Sequence, residues 1–271
     1  MRPTRGFLLA GALALLPGST LAGQSPREIV ERALAQQDAR TANVENYTLV
    51  QEFNGQEMLQ YHEAREVGGH RMFVVTRTLV GGRSVGGAQD EGADPFYMYE
   101  RWIQNAEVAG SERVDGHDTW ILRTDNLEAM AGPSMSDADL REGEVRLYID
   151  KDDYVVRRMV FEGTADVEGQ ARDMSMTANL LDYRNVDGVL HPFRMEATVS
   201  GAMSGAESAE MKEALAEMEK RLAELPENVR KQVEGQMRAQ MEAMGGMASG
   251  EGMKMTVTTK EVRVNQGPPG D

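Results

Sequence analysis

Few side chains in this 271-residue sequence could do covalent or metal chemistry, and those few are dispersed. The four histidines, His62, His70, His117 and His191, recur at no spacing that a zinc site uses. Lying near strand ends and turns, they are expected to be solvated. Cysteine is absent, which removes thiol nucleophiles, disulfides and thiolate ligands. Asp150, Asp152 and Asp153 open like a calcium-binding loop. However, Val155 stands where its tight-turn glycine belongs and Phe161 where its bidentate glutamate belongs, so the run reads as a hairpin turn. A hydrolase without cysteine would need a serine or paired carboxylates. No G-x-S-x-G elbow is recognised, and 44 acidic residues make any one carboxylate pair uninformative. Met237, Met241, Met244 and Met247, with Met253 and Met255, offer soft thioethers that suit Cu(I). Their helical spacing fits a buried stripe better, and no metal site is assigned. Neither catalysis nor a cofactor is expected, which leaves binding through apolar surface.

The elements that would position such a surface begin with an address. Arg2 and Arg5 precede the apolar run Gly6–Leu16, Pro17-Gly18 breaks any helix, and Thr20-Leu21-Ala22 supplies small residues for cleavage. Residues 1–22 therefore read as a secretory signal cut after Ala22. The run is shorter than the ~20 residues a membrane span needs. Without a cysteine after it, a lipid anchor of the bacterial lipoprotein kind is not expected. The mature chain then holds 27 basic against 44 acidic residues, a net charge of −17, and is expected in the periplasm. That balance argues against nucleic acid as a partner and against adhesion to an anionic membrane.

Ser25-Pro26-Arg27-Glu28 is a capping box with proline at the first helical position. Ile29, Val30, Ala33 and Leu34 then share one face, which predicts an amphipathic helix to about Arg40. Period-two segments follow near Tyr47–Phe53, Glu57–Arg65, Arg71–Leu79, Thr119–Thr124, Glu144–Ile149, Tyr154–Glu162, Arg172–Arg184, Val189–Ser200 and Met253–Val264. Asp115-Gly116 and Asp187-Gly188 are tight-turn dipeptides, so the segments read as an antiparallel meander. Loops are expected at Gly81–Pro95 and Glu128–Gly143. Residues 202–252 break the meander. Met211, Leu215, Met218, Leu222 and Leu225 form a heptad-like seam, and after Pro226 a second stripe carries Val233, Met237 and Met241. This predicts an inserted helical hairpin with Gly/Ser-rich hinges, followed after residue 264 by a flexible tail, 265–271.

Alternation assigns faces to the strands. Leu147, Met159, Phe161, Met174, Met176, Leu180, Phe193, Met195, Met253 and Met255 fall on one apolar face, opposite Arg146, Asp173, Thr177, Glu196 and Lys254. Methionine is flexible and polarizable, and suits a surface that adapts to varied apolar partners. One short helix cannot cover a sheet of this width, so an uncovered strip is a candidate ligand cavity.

Three stretches resemble a known family: Val114-Asp115-Gly116-His117-Asp118-Thr119-Trp120, Leu147-Tyr148-Ile149-Asp150-Lys151, and Asp182 to Phe193, which ends in a Pro-aromatic pair. With the signal, opening helix and meander, they resemble the periplasmic outer-membrane lipoprotein-sorting carriers, the LolA-like family, across residues 25–201 and 253–264. The resemblance implies an α+β fold, an incomplete antiparallel β-barrel (a LolA-like half barrel) with an N-terminal helix, here carrying an inserted helical hairpin. It implies a hydrophobic cavity for a lipid or acylated protein segment, formed by the ten apolar-face residues, and a carrier or chaperone role without catalysis. Relatives of the fold also include envelope-stress regulators. The hairpin and the acidity depart from the carrier pattern. Met211, Leu215, Met218, Leu222, Val233, Met237 and Met241 would thus act either as a lid or as an arm that docks an envelope protein partner. No transmembrane segment is expected in the mature chain.

Overall fold

The computed structural model describes residues 24–53, 55–85, 96, 99–126, 140–167, 170–201, 205–224 and 252–270. Helix α1 (Pro26–Arg40) starts where its caps dictate. The Glu28 amide donates to Ser25 Oγ at 3.3 Å, and the Ser25 amide donates back to the Glu28 carboxylate at 2.7 Å. Ile29, Val30, Ala33 and Leu34 are its buried residues, as the spacing requires.

The strands are β1 (Asn46–Phe53), β2 (Gln56–Val67), β3 (His70–Val80), β4 (Arg83–Ser84), β5 (Glu107–Val114), β6 (His117–Thr124), β7 (Leu140–Asp150), β8 (Val156–Val167), β9 (Gln170–Val186), β10 (Val189–Ser200) and β11 (Met253–Val264). They form one open antiparallel 11-stranded sheet, ordered β4-β3-β2-β1-β11-β10-β9-β8-β7-β6-β5. The last strand joins two meanders by lying between β1 and β10. Asp115-Gly116 and Asp187-Gly188 make the two-residue turns expected of them, all four residues with positive φ.

This sheet is not flat. Met72 of β3, Leu122 of β6 and Leu147 of β7 share one buried cluster with Ile29 and Leu34 of α1. In the strand order β3 and β6 stand eight spacings apart. At about 4.8 Å per strand that is about 38 Å in a flat sheet, and α1 is only about 10 Å across. Both strands reach one helix because the sheet curls around it. Bulges at Val50/Gln51, Tyr61/His62 and Tyr148/Ile149 add local bend. Gly143 pairs with Gly163 across β7 and β8, and a Cβ on Gly143 would stand 2.5 Å from the Glu162 carbonyl oxygen. A side chain on Gly163 would likewise meet the Glu142 carbonyl, while the Phe161 ring lies against both positions.

Several elements differ from the sequence expectation. The fold is mostly β rather than α+β. Strand β5 is an added edge strand with few buried residues, and so lacks the apolar alternation that marks a strand. Strand β7 begins at Leu140, inside the stretch expected to be loop. A short helix α2 (Tyr99–Trp102) and a 3₁₀ turn (Ile103–Asn105) follow buried Phe96, and they bring Tyr99, Trp102 and Ile103 into the same cluster as α1. The C-terminal segment is tied down rather than loose. Asn265 accepts from the Glu45 amide at 2.8 Å, the Gly267 amide donates to Asn46 Oδ1 at 3.0 Å, and Arg77 donates to the Pro269 carbonyl at 2.9 Å. Helix α3 (Gly205–Glu224) lies in the stretch expected to form the first arm of a hairpin. The second arm, with Val233, Met237 and Met241, lies outside the described residues. No helix among the described residues is long and apolar enough to cross a membrane.

Candidate functional site

Helix α1 and the α2 segment roof β6, β7 and β8, and Ile29, Leu34, Trp102, Leu147, Ile149 and Phe161 close that half of the curled sheet. Toward β1, β2, β10 and β11 the roof ends, and there the sheet encloses a cavity of about 360 Å³. Its wall is set by strand phase. On β1, Tyr47, Leu49 and Gln51 alternate onto this face, opposite His62, Gln60 and Met58 of β2. Val257 pairs with Met195 of β10, which pairs with Leu180 of β9. Gln37, Arg40 and Thr41 enter from the C-terminal end of α1. The volume falls in the range of small-molecule sites, about 300–1,000 Å³. A polar groove at Arg123, Glu144 and Glu162 is different in kind, because its charges pair with one another and with Arg146.

The cavity wall carries a polar band. His62 is 3 % exposed, stacks on Tyr47 at 4.4 Å and 14°, and neither ring nitrogen has a hydrogen-bond partner. Burial, and then the neighbouring His191, pushes its pKa down to about 3, so the ring is neutral. A buried polar group left unpaired costs about 1–3 kcal/mol. His191 is pushed down to about 4 by burial, and its Nε2 lies 3.2 Å from Thr259 Oγ1. Gln51 donates to the same hydroxyl at 3.3 Å, and that hydroxyl donates to the Pro192 carbonyl at 3.4 Å. Arg40 is the only charged side chain among the described residues of the wall. It donates to Gln36 and to the Asp153 carbonyl, and burial lowers its pKa.

The ten apolar-face residues divide between four places. Leu180 and Met195 line the cavity. Leu147, at 1 % exposed, and Phe161 are buried under α1, with Met159, Met174 and Met176 packed half-buried against that cluster. Phe193 belongs to a second buried cluster with Val44, Leu49, Phe73, Val189 and Val262. Met253 and Met255 are half-buried on β11. Of the hairpin stripe, Leu215, Met218 and Leu222 are half-buried on α3, which also carries Met211. Sequence reading missed the polar band. Its signal was Gln51 and Thr259 in the phase of Leu49 and Val257, where alternation calls for apolar residues.

Burial of His62 and His191 departs from the solvated setting expected of them, whereas His117 keeps 41 % of its side chain exposed. Besides His62 and His191, His70 Nδ1 lies 2.8 Å from Asp38, and His117 Nδ1 lies 2.9 Å from Asp150. His117, Asp150 and Asp153 bring three donor atoms close enough for a cation, but the Arg157 guanidinium already lies among them. It reaches Asp150 at 2.8 Å, Asp153 at 2.9 Å and His117 at 3.3 Å. Asp150 is 0 % exposed and Arg157 5 %. Asp150 also accepts the amides of Asp152 and Asp153, which closes the β7–β8 turn. Burial alone would raise its pKa, but those amides and Arg157 bring it below the usual value. One G-x-S-x-G string, Gly82 to Gly86, escaped the sequence reading. Its Ser84 is exposed on β4, paired with Leu79 in an edge hairpin, rather than at a strand-to-helix elbow.

No protein-family model and no curated protein matches the chain. It is similar to solved structures at low identity. One is a DUF1329 family protein from Desulfovibrio piger, at 10 % identity over 91 % of this chain and 96 % of that one, with a TM-score of 0.40. Another is a putative outer membrane lipoprotein-sorting protein domain from Vibrio parahaemolyticus, at 13 % identity over 89 % and 95 %, with a TM-score of 0.37. A third is the Mycobacterium tuberculosis lipoprotein LppX, at 8 % identity over 51 % and 90 %, with a TM-score of 0.25.

Proposed function

We propose that this protein is a non-catalytic periplasmic carrier or chaperone that shelters the acyl chain of a lipid or acylated protein segment against the helix-bearing face of its sheet. The observation that carries the reading is the cavity where the roof of α1 ends, walled on its apolar side by Met58, Leu180, Met195 and Val257. The strip continues along β10 and β11 in successive rungs, Met195–Val257, Ala197–Met255 and Val199–Met253. It leads toward residues 202–252, the segment of α3, which suits the hairpin to covering a bound chain. In this reading Met253 and Met255 extend the ligand surface, and Leu147 and Phe161 serve as the packed floor of the roofed half.

The test is fluorescence titration with N-phenyl-1-naphthylamine, an uncharged apolar dye. The wild type should bind it and release it to dodecyl amphiphiles. Met195→Trp, which fills the cavity from β10, should weaken binding about tenfold or more. Equal dye binding by the two proteins would remove the cavity from the account.

A further inference from the structure

An acyl chain needs only an apolar wall, yet this wall carries His62. The ring borders the cavity from β2, directly opposite Tyr47 of β1, and both of its nitrogens are buried without a partner. Neutral imidazole has one N–H donor and one bare acceptor nitrogen. A group that completes it must accept, donate or do both. Charge is disfavoured here. Arg40, the only charged side chain among the described residues of the wall, is engaged with Gln36 and Asp153. Across the band, His191, Thr259 and Gln51 are joined to one another and to the Pro192 carbonyl. A carboxylate or phosphate placed beside His62 would therefore be an unpaired charge out of water. A hydroxyl or primary amide satisfies either edge of the ring at no such cost.

We propose that the ligand's apolar chain carries an uncharged group that both donates and accepts hydrogen bonds, a hydroxyl or a primary amide, and that His62 is the side chain that reads it. The proposal rests on the acyl-chain reading of the cavity. Because the ring nitrogens are closed to solvent, contact requires the wall to give, and the unbranched side chains of Met58 and Gln60, beside His62 on β2, can do so.

The experiment is displacement of N-phenyl-1-naphthylamine at pH 7.5 by dodecan-1-ol, dodecanamide, methyl dodecanoate and dodecanoate. The alcohol and the amide should compete about tenfold better than the methyl ester, which only accepts. His62→Phe keeps the stack on Tyr47 and should bring that ratio to about one, whereas His62→Gln, with a donor and an acceptor, should retain it. Should His62→Phe fail to fold, imidazole ¹⁵N spectra of the wild type replace it. With four histidines in the chain, one ring should shift on adding dodecan-1-ol and stay still with methyl dodecanoate. A wild-type ratio near one, a ratio that survives in His62→Phe, tightest binding of dodecanoate, or ring signals that ignore the alcohol each overturn the proposal. If all four compounds compete equally, the cavity still holds chains and only the His62 subsite is lost. If none displaces the dye, the carrier reading falls as well.

Discussion

Replacing His62 with phenylalanine should flatten the acid limb of this protein's stability, and the size of the change follows from where the ring sits. In the folded chain His62 titrates near 3 and His191 near 4, against 6.5 for a free histidine. Both folded values are depressed. Below pH 6.5 the unfolded chain therefore binds protons that the folded chain refuses, and stability falls with pH until the folded values are reached. The contribution of His62 is fully present above pH 6.5 and is lost from there down towards pH 3. Each such group gives a slope of about 1.4 kcal/mol per pH unit, so the pair gives nearly 3 between pH 5.5 and 4.5. Phenylalanine preserves the packing against Tyr47 at 4.4 Å and removes one titration. Urea unfolding of both proteins at pH 7.5, 5.5 and 4.5 is the assay. The carboxylates titrate alike in both and cancel in the difference. Between pH 5.5 and 4.5 the wild type should lose about 1.4 kcal/mol more than His62→Phe. Parallel stability curves across that range would refute the claim that His62 is held neutral by burial.

Asp150→Ala should cost about 3–5 kcal/mol in urea unfolding, because it strands the buried Arg157 guanidinium and opens the β7–β8 turn; a loss below about 1 kcal/mol would contradict that role. Gly163→Ala should cost at least about 1–3 kcal/mol in a thermal melt, since its Cβ runs into the Glu142 carbonyl across the pair that lets β7 and β8 approach; an unchanged melt would show that the close approach is not required. The double variant Leu215→Asp, Met241→Asp should weaken retention of the dye while leaving the far-ultraviolet circular dichroism of the sheet unchanged, and equal retention would remove the hairpin as a lid.

What the sequence revealed was local chemistry. The Ser25–Glu28 box places the start of α1, and the Asp-Gly pairs place two hairpin turns, because each depends on residues within one turn of chain. The curl of the sheet depends on Gly143 meeting Gly163 and on β3 and β6 reaching one helix, pairings that no window of sequence contains. Strand β5 was illegible because an exposed edge has no reason to alternate. The α2 segment had a signal, Phe96, Tyr99 and Trp102 at helical spacing, hidden behind a glycine-rich stretch. The site was half legible for the same reason. Strand phase put Leu180 and Met195 on the right face, but where α1 stops covering that face depends on tertiary packing. His62 reads as an ordinary polar residue of an alternating strand until the register places it against Tyr47.

Native mass spectrometry of the mature protein, drawn gently from periplasm and followed by solvent extraction, tests the central claim most directly. The account predicts a chain beginning at Gly23 that carries an added mass, released in the gas phase and extracted as a lipid with a hydroxyl or amide group. A bare polypeptide, still bare after incubation with phospholipid and dodecan-1-ol, would contradict it.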